Sequence, residues 1–169
     1  MKKANVLTLL FILGIAIVAC QQKATEPRKD IITEMYPEEQ AKIEKLVGDI
    51  YHSVQKKELE RLKSYHLYGP KFTEFKNGGL RHDAEAGEKM EREFFSAFSD
   101  FQYNLQDLKV NVFGDAAIAT FHGDFSAKMG EKPLAFQLQS TLVFVKDGDN
   151  WKIVHEHFSP IDKSFLDAK

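Results

Sequence analysis

Three turn signals, Gly114-Asp115, Gly130-Glu131 and Asp147-Gly148-Asp149-Asn150, divide the second half of the chain at nearly even spacing. The runs between them, Ala116 to Met129, Leu134 to Val145 and Trp151 to Phe158, are rich in β-branched and aromatic residues. Ahead of the first turn, Leu108, Val110 and Val112 alternate with polar neighbours. Alternation bounded by glycine turns predicts strands. Turns this short join antiparallel neighbours. The expectation is a four-strand antiparallel meander, with strands of 12 to 14 residues that are long enough to bend on themselves.

The first half carries a different period. Pro37-Glu38-Glu39 opens a helix, since proline suits the first helical position and acids suit the positive end of the dipole. Ile43, Leu46, Val47, Ile50, Tyr51 and Val54 then form one apolar stripe. Leu59, Leu62 and Tyr65 predict a second short helix, stopped by Gly69-Pro70. Phe72 and Phe75 lie in a short segment of open type. Asp83 reads as an N-cap, and Met90, Phe94, Ala97 and Phe98 give a third stripe. Lys56-Lys57 and Glu85 to Glu93 read as solvated faces. Helices followed by an antiparallel meander make an α+β domain with the helices on one face of the sheet. A bent sheet roofed by helices encloses a hollow, and apolar hollows bind small molecules.

The extreme N-terminus has a separate logic. Lys2 and Lys3 precede an apolar run from Val6 to Val18, and Ile17-Val18-Ala19-Cys20 leads into polar Gln21-Gln22-Lys23. A run of 13 residues is short of the roughly 20 a spanning helix needs, so it reads as a secretory signal. Its end resembles a bacterial lipobox. That resemblance implies a signal peptide over 1–19, cleavage before Cys20, and a lipoprotein acylated on Cys20 with palmitate-type chains. Two or more such chains anchor a protein stably to a membrane. Gln21 after the cysteine implies the outer membrane, facing the periplasm, in a Gram-negative host. Residues 20–36 are mostly polar and contain Pro27, which predicts a flexible tether reaching about 20–25 Å. The domain is expected over 37–160 and a C-terminal tail over 161–169.

Cys20 is the sole cysteine, so its acylation leaves no thiol for a disulfide, a metal or a nucleophile. The chain has 23 basic and 25 acidic residues, and removal of Lys2 and Lys3 with the signal makes it more acidic. Such a balance, with no basic run, argues against nucleic acid and against a polybasic lipid contact. No glycine-rich phosphate loop, serine triad or dinucleotide fingerprint is present, and no cofactor is expected.

The stretch Trp151-Lys152-Ile153-Val154-His155-Glu156-His157-Phe158-Ser159, preceded by Asp147-Gly148, resembles the last strand of SnoaL-like domains of the nuclear transport factor 2-like superfamily. It is most similar to the branch related to the association domain of calcium/calmodulin-dependent kinase II. Gly114-Asp115-Ala116-Ala117-Ile118-Ala119 resembles the strand opening of the same domains. The resemblance implies a cone-shaped fold, with N-terminal helices on a strongly curved antiparallel sheet. It does not imply one function, because the superfamily holds isomerases, cyclases, dehydratases and hub-forming domains.

The association-domain branch has a pocket lined by arginines. The resemblance puts His122, Leu142 and Phe158 at three of those positions, so a more apolar ligand is implied than in that branch. Strand alternation groups Val154, Glu156 and Phe158 on one face, with Ile153, His155 and His157 on the other. Glu156 and His122 are then the candidate ionisable pair within an apolar pocket, able in principle to shuttle a proton. Tyr51, Tyr65, Tyr68 and Tyr103 are candidate phenolic donors. The expected ligand-binding set is His122, Glu156, Leu142, Phe158 and Tyr51, with several phenylalanines, among them Phe94, Phe125 and Phe136, either lining the hollow or packing the core. His155 and His157 form a tempting metal pair but lack a third ligand at a telling spacing, so no metal is expected.

The favoured expectation is a membrane-anchored, non-catalytic module that binds a small apolar ligand or serves assembly, dimerising through its sheet. The alternatives are a proton-transfer isomerase, dehydratase or cyclase using Glu156 or His122, and a structural scaffold of the cell envelope.

Overall fold

The computed structural model describes residues 30–161. Cys20, the signal, most of the tether and the tail beyond Ile161 lie outside the described residues. The elements run α1 (Pro37–Gln55), α2 (Leu59–Ser64), β1 (Thr73–Lys76), α3 (Ala84–Ala97), β2 (Phe98–Phe113), β3 (Ala116–Met129), β4 (Lys132–Asp147) and β5 (Asn150–Pro160). They form the expected α+β fold, with helices packed on a curved sheet of order β1-β5-β4-β3-β2. The three tight turns each use a glycine at positive φ, at Gly114, Gly130 and Gly148, the conformation that costs a residue without Cβ least.

Helix α1 buries Ile43, Val47, Ile50, Tyr51 and Val54 along the stripe read from the sequence. Its start is tied to the sheet by Trp151, whose indole Nε1 donates to Glu39 Oε2 at 2.6 Å. Its flank is tied to β2, where Gln40 and Gln55 side chains donate to the carbonyls of Val110 and Phe101. Asp83 caps α3, its side chain accepting from the Ala86 amide at 3.0 Å.

Three features depart from the sequence-based expectation. The sheet has a fifth strand, because the open segment around Phe75 is β1, which pairs parallel with β5. Strand β2 begins at Phe98 rather than near Leu108. Register shifts between Ser99 and Gln102 and between Gln106 and Lys109 interrupt its alternation, with Asp100 and Asp107 at positive φ. Such bulges bend a strand and break its period of two. The third departure is in β5. Val143 pairs with His155 while Phe144 pairs with Ile153, which leaves Val154 as an extra residue. Ile153 and Glu156 are therefore both buried on the inner face, although strict alternation separates them. That bulge is what turns Glu156 inward.

Candidate functional site

A cavity of about 390 Å³ lies between the sheet, α1 and α3. Its walls are mainly aromatic, with Phe94 and Phe95 from α3, Phe98 and Phe101 from β2, Phe125 from β3 and Phe158 from β5. Phe125 is the shared member of a ring stack: it lies 5.9 Å from Phe101, 5.3 Å from Phe136 and 5.3 Å from Tyr51. These separations are those of favourable aromatic pairs.

The polar end of the cavity is built from three parts of the chain. His66 follows α2 and is locked against β5, since Leu67 N donates to Ile153 O at 2.8 Å and Ile153 N donates to Tyr65 O at 2.9 Å. This clamp brings His66 Nε2 to 3.1 Å from Glu156 Oε1 and 3.7 Å from Glu91 Oε1. Tyr68 stacks on the His66 ring at 4.8 Å and donates from its hydroxyl to Glu91 Oε2 at 3.0 Å. Glu74 stands opposite Glu156 on the neighbouring strand and is paired with Lys76 at 2.6 Å and His82 at 3.0 Å.

The proton positions follow from geometry. His66 Nδ1 lies 3.1 Å from the Leu62 carbonyl, which can only accept, so Nδ1 carries a hydrogen. Nε2 and Glu156 must then share a second proton. Burial alone would lower the imidazole's affinity for it, but the charges of Glu156 and Glu91 outweigh burial and lift His66 to about 9. Burial would raise Glu156, yet the His66 charge and hydrogen bond, helped by Lys76, hold it below the usual carboxylate range. The pair is an imidazolium–carboxylate ion pair at neutral pH. Glu91 behaves differently. Burial lifts it and the His66 charge pulls it back, but the charge of Glu156 adds to the lift, leaving it at about 7. Burial, then the Glu156 charge, pushes the Tyr51 phenol up, so it stays protonated.

One donor atom from each of His66, Glu91 and Glu156 lies within 4.8 Å of the other two, the one such set of three among the described residues. The spacing would admit a small cation, but the hydrogen bond between His66 and Glu156 already joins two of the three without one.

Tyr51, Leu142, Glu156 and Phe158 all line this cavity. His122 does not. Phe121 and Phe125 of β3 are buried on the inner face, so His122 is exposed on the outer one, paired across to Gln106 and Gln139. A one-residue offset on a strand moves a side chain to the opposite face. The expected Glu156–His122 pair is thus replaced by Glu156–His66, and His122 lines a polar recess on the outer face with Thr120, Thr141 and His157. His155 Nδ1 is engaged by Thr73 Oγ1 at 2.8 Å, and His157 Nε2 by Ser159 Oγ at 2.9 Å. Glu91, read as part of a solvated face, turns into the cavity. A signal for it existed: Gly87, Glu91, Phe94 and Phe98 follow helical spacing. His66 likewise continues the Leu59, Leu62 stripe by one turn.

The SnoaL-like domain family matches residues 43–163 of the chain. No curated protein matches it. Among solved structures, a proposed dehydratase of the NTF2-like family from Streptomyces avermitilis is 20% identical, with a TM-score of 0.68 over 75% of this chain and 99% of that one. A proposed calcium/calmodulin-dependent kinase II association domain from Exiguobacterium sibiricum is 14% identical, with a TM-score of 0.63 over 76% of this chain and 97% of that one. An NTF2-like superfamily protein from Salmonella enterica is 20% identical, with a TM-score of 0.63 over 76% of this chain and 95% of that one. At these identities the likeness is one of fold.

Proposed function

The chain belongs to the SnoaL-like domain family, and from that premise we propose that it is a lipid-anchored envelope protein that binds a small, largely apolar ligand. The observation that carries this is the aromatic cavity of about 390 Å³, whose lining includes Glu91 and Glu156, the two carboxylates nearest the buried His66. Its size falls within the range of small-molecule sites, and its lining is of their kind: apolar walls with a few convergent polar groups. Leu138 also lines the cavity, and the test is binding of a hydrophobic dye to wild type and to Leu138→Trp, whose larger side chain would occupy part of that space. Dye affinity is expected to fall at least about tenfold in the variant, by loss of buried apolar contact, with melting little changed. Equal binding in both would remove the proposal.

A second function is favoured by one observation. Two carboxylates on the same cavity wall are held in opposite protonation tendencies, Glu91 up to about 7 and Glu156 low. Groups pushed apart in this way serve as acid and base. Turnover of a bound compound that is abolished by Glu91→Gln, with binding retained, would make the protein an enzyme.

Anchoring rests on Ile17-Val18-Ala19-Cys20. Cells grown with labelled palmitate should label the wild type and leave Cys20→Ala unlabelled. Label on Cys20→Ala would overturn the anchor.

A further inference from the structure

On the premise that this cavity takes a small apolar ligand, we infer that the ligand is an organic cation: an apolar body with one protonated amine seated between Glu91 and Glu156.

The hydrogen-bonding capacity of the polar end leads to this. An ionised carboxylate only accepts, through about four lone-pair positions. Glu156 Oε1 is engaged by His66 and Glu91 Oε2 by Tyr68. Glu156 Oε2 and Glu91 Oε1 receive no hydrogen bond among the described residues, the nearest approach to the latter being His66 Nε2 at 3.7 Å, beyond hydrogen-bond range. The donors nearest these oxygens already have acceptors. His66 Nδ1 faces the Leu62 carbonyl and Nε2 faces Glu156, the Tyr68 hydroxyl serves Glu91, and Lys76 Nζ sits on Glu74 at 2.6 Å. The oxygens left over, Glu156 Oε2 and Glu91 Oε1, are acceptors carried by two residues of the cavity lining. A ligand carboxylate or phosphate placed between Glu91 and Glu156 would meet like charge, whereas an ammonium brings three N–H groups.

Charge points the same way. Among the carboxylates Glu74, Glu91 and Glu156, Glu156 has His66 at 3.1 Å and Glu74 has Lys76 at 2.6 Å and His82 at 3.0 Å, while Glu91 has no cationic side chain closer than His66 at 3.7 Å. The unmatched carboxylate is Glu91, which in this apolar setting is either neutralised by a proton or paired with a cation from outside. The walls also favour a cation. Aromatic faces are electron-rich and attract ammonium groups, and Lys76 Nζ already lies 5.5 Å over the Phe158 ring. A bare metal ion would leave most of the 390 Å³ empty, and an amine with an apolar body would fill it.

The experiment compares three probes that share one body and differ in the head: 4-phenylbutylamine, 4-phenylbutan-1-ol and 4-phenylbutanoate. They are titrated calorimetrically into the full-length chain in lipid nanodiscs, with empty nanodiscs as the blank and EDTA present so that no metal replaces the ammonium. The amine is expected to bind roughly tenfold or more tighter than the alcohol, as a charge-assisted hydrogen bond would give, and the carboxylate weakest. Glu91→Gln should bring the amine down to the affinity of the alcohol. The head-group order in the wild type decides the matter even if that variant does not fold. Equal affinities, or preference for the carboxylate, would overturn the ammonium while leaving the cavity function standing, provided Leu138→Trp abolishes all three. No binding by any probe, with no dye binding either, would remove the cavity function and the inference with it.

Discussion

His66→Leu is expected to destabilise the fold by about 3–5 kcal/mol, the cost of breaking a buried ion pair by removing one partner. His66 is 6% exposed and Glu156 5%, so water cannot replace the lost partner. Leucine leaves the Leu62 carbonyl without its Nδ1 donor and Glu156 Oε1 without Nε2. It also leaves two carboxylates, Glu156 and Glu91, facing each other with no imidazolium between them. Protonation of one carboxyl relieves part of this, which sets the lower end of the range. Urea unfolding measures the loss. The double variant His66→Leu with Glu156→Leu should recover more than half of it, because replacing a whole buried pair by apolar groups is often close to neutral. A loss under about 1 kcal/mol in the single variant would show that the pair does not hold this end of the fold together.

The same cluster sets a pH dependence with a definite sign. The His66 pKa rises from an ordinary 6.5 to about 9 on folding. Its contribution is therefore complete below 6.5 and is lost as pH climbs through 9. Glu91 rises from 4.5 to about 7, so its contribution is present below 4.5 and is lost as pH passes 7. Both slopes descend towards alkali. Glu156, held low, has the opposite sign and loses its contribution in acid. Stability should peak at about pH 5–6, and the limb set by His66 alone should fall by roughly 3 kcal/mol between pH 7 and 9.5. In His66→Leu the decline above pH 7 should be largely absent. An equally steep alkaline limb in the variant would assign the slope to other groups.

Much of the fold could be read before any coordinates, and the reasons differ by element. The bounds of β3, Ala116 and Met129, coincide with the run between two glycine turns, because a hairpin's ends are local backbone events. The apolar stripe of α1 is buried as read, because a helix facing a core repeats its contacts every turn. The bulge at Val154 had no such signature, being a backbone choice by one residue that alters no composition. Yet it decides that Glu156 shares a face with Ile153. His66 and Glu91 were visible as polar residues on apolar stripes, which alone does not separate a buried group from a solvated one. What separates them is a partner distant in sequence: for His66 it is Glu156, 90 residues away. The misplacement of His122 has a simpler cause, since a resemblance offset by one residue selects the wrong face of a strand.

Gly123→Ala is expected to cost about 1–3 kcal/mol, the range for overpacking a filled site, and to change the cavity itself. Gly123 and Phe125 point to the same inner face of β3, and the Phe125 ring folds back along its own strand over the glycine. A Cβ at position 123 would stand 2.3 Å from two carbons of that ring, Cε2 and Cζ. The ring cannot tilt freely, because Tyr51, Phe101 and Phe136 hold it within 5.9 Å on its other sides. Alanine therefore forces the ring out of the stack or into the ligand space, and aromatic pairs worth roughly 0.5–1.5 kcal/mol each are loosened. Dye affinity should fall along with stability. The compensating change is Phe125→Leu, which removes the ring carbons that meet the new methyl. Gly123→Ala with Phe125→Leu should be less destabilised than the sum of its parts. Additive losses, or a Gly123→Ala protein as stable as the wild type, would mean that the ring does not rest on the glycine. If the losses couple, one missing side chain on β3 is what lets an aromatic ring lie flat against the sheet, and a ring lying flat is what leaves the space above it open to a ligand.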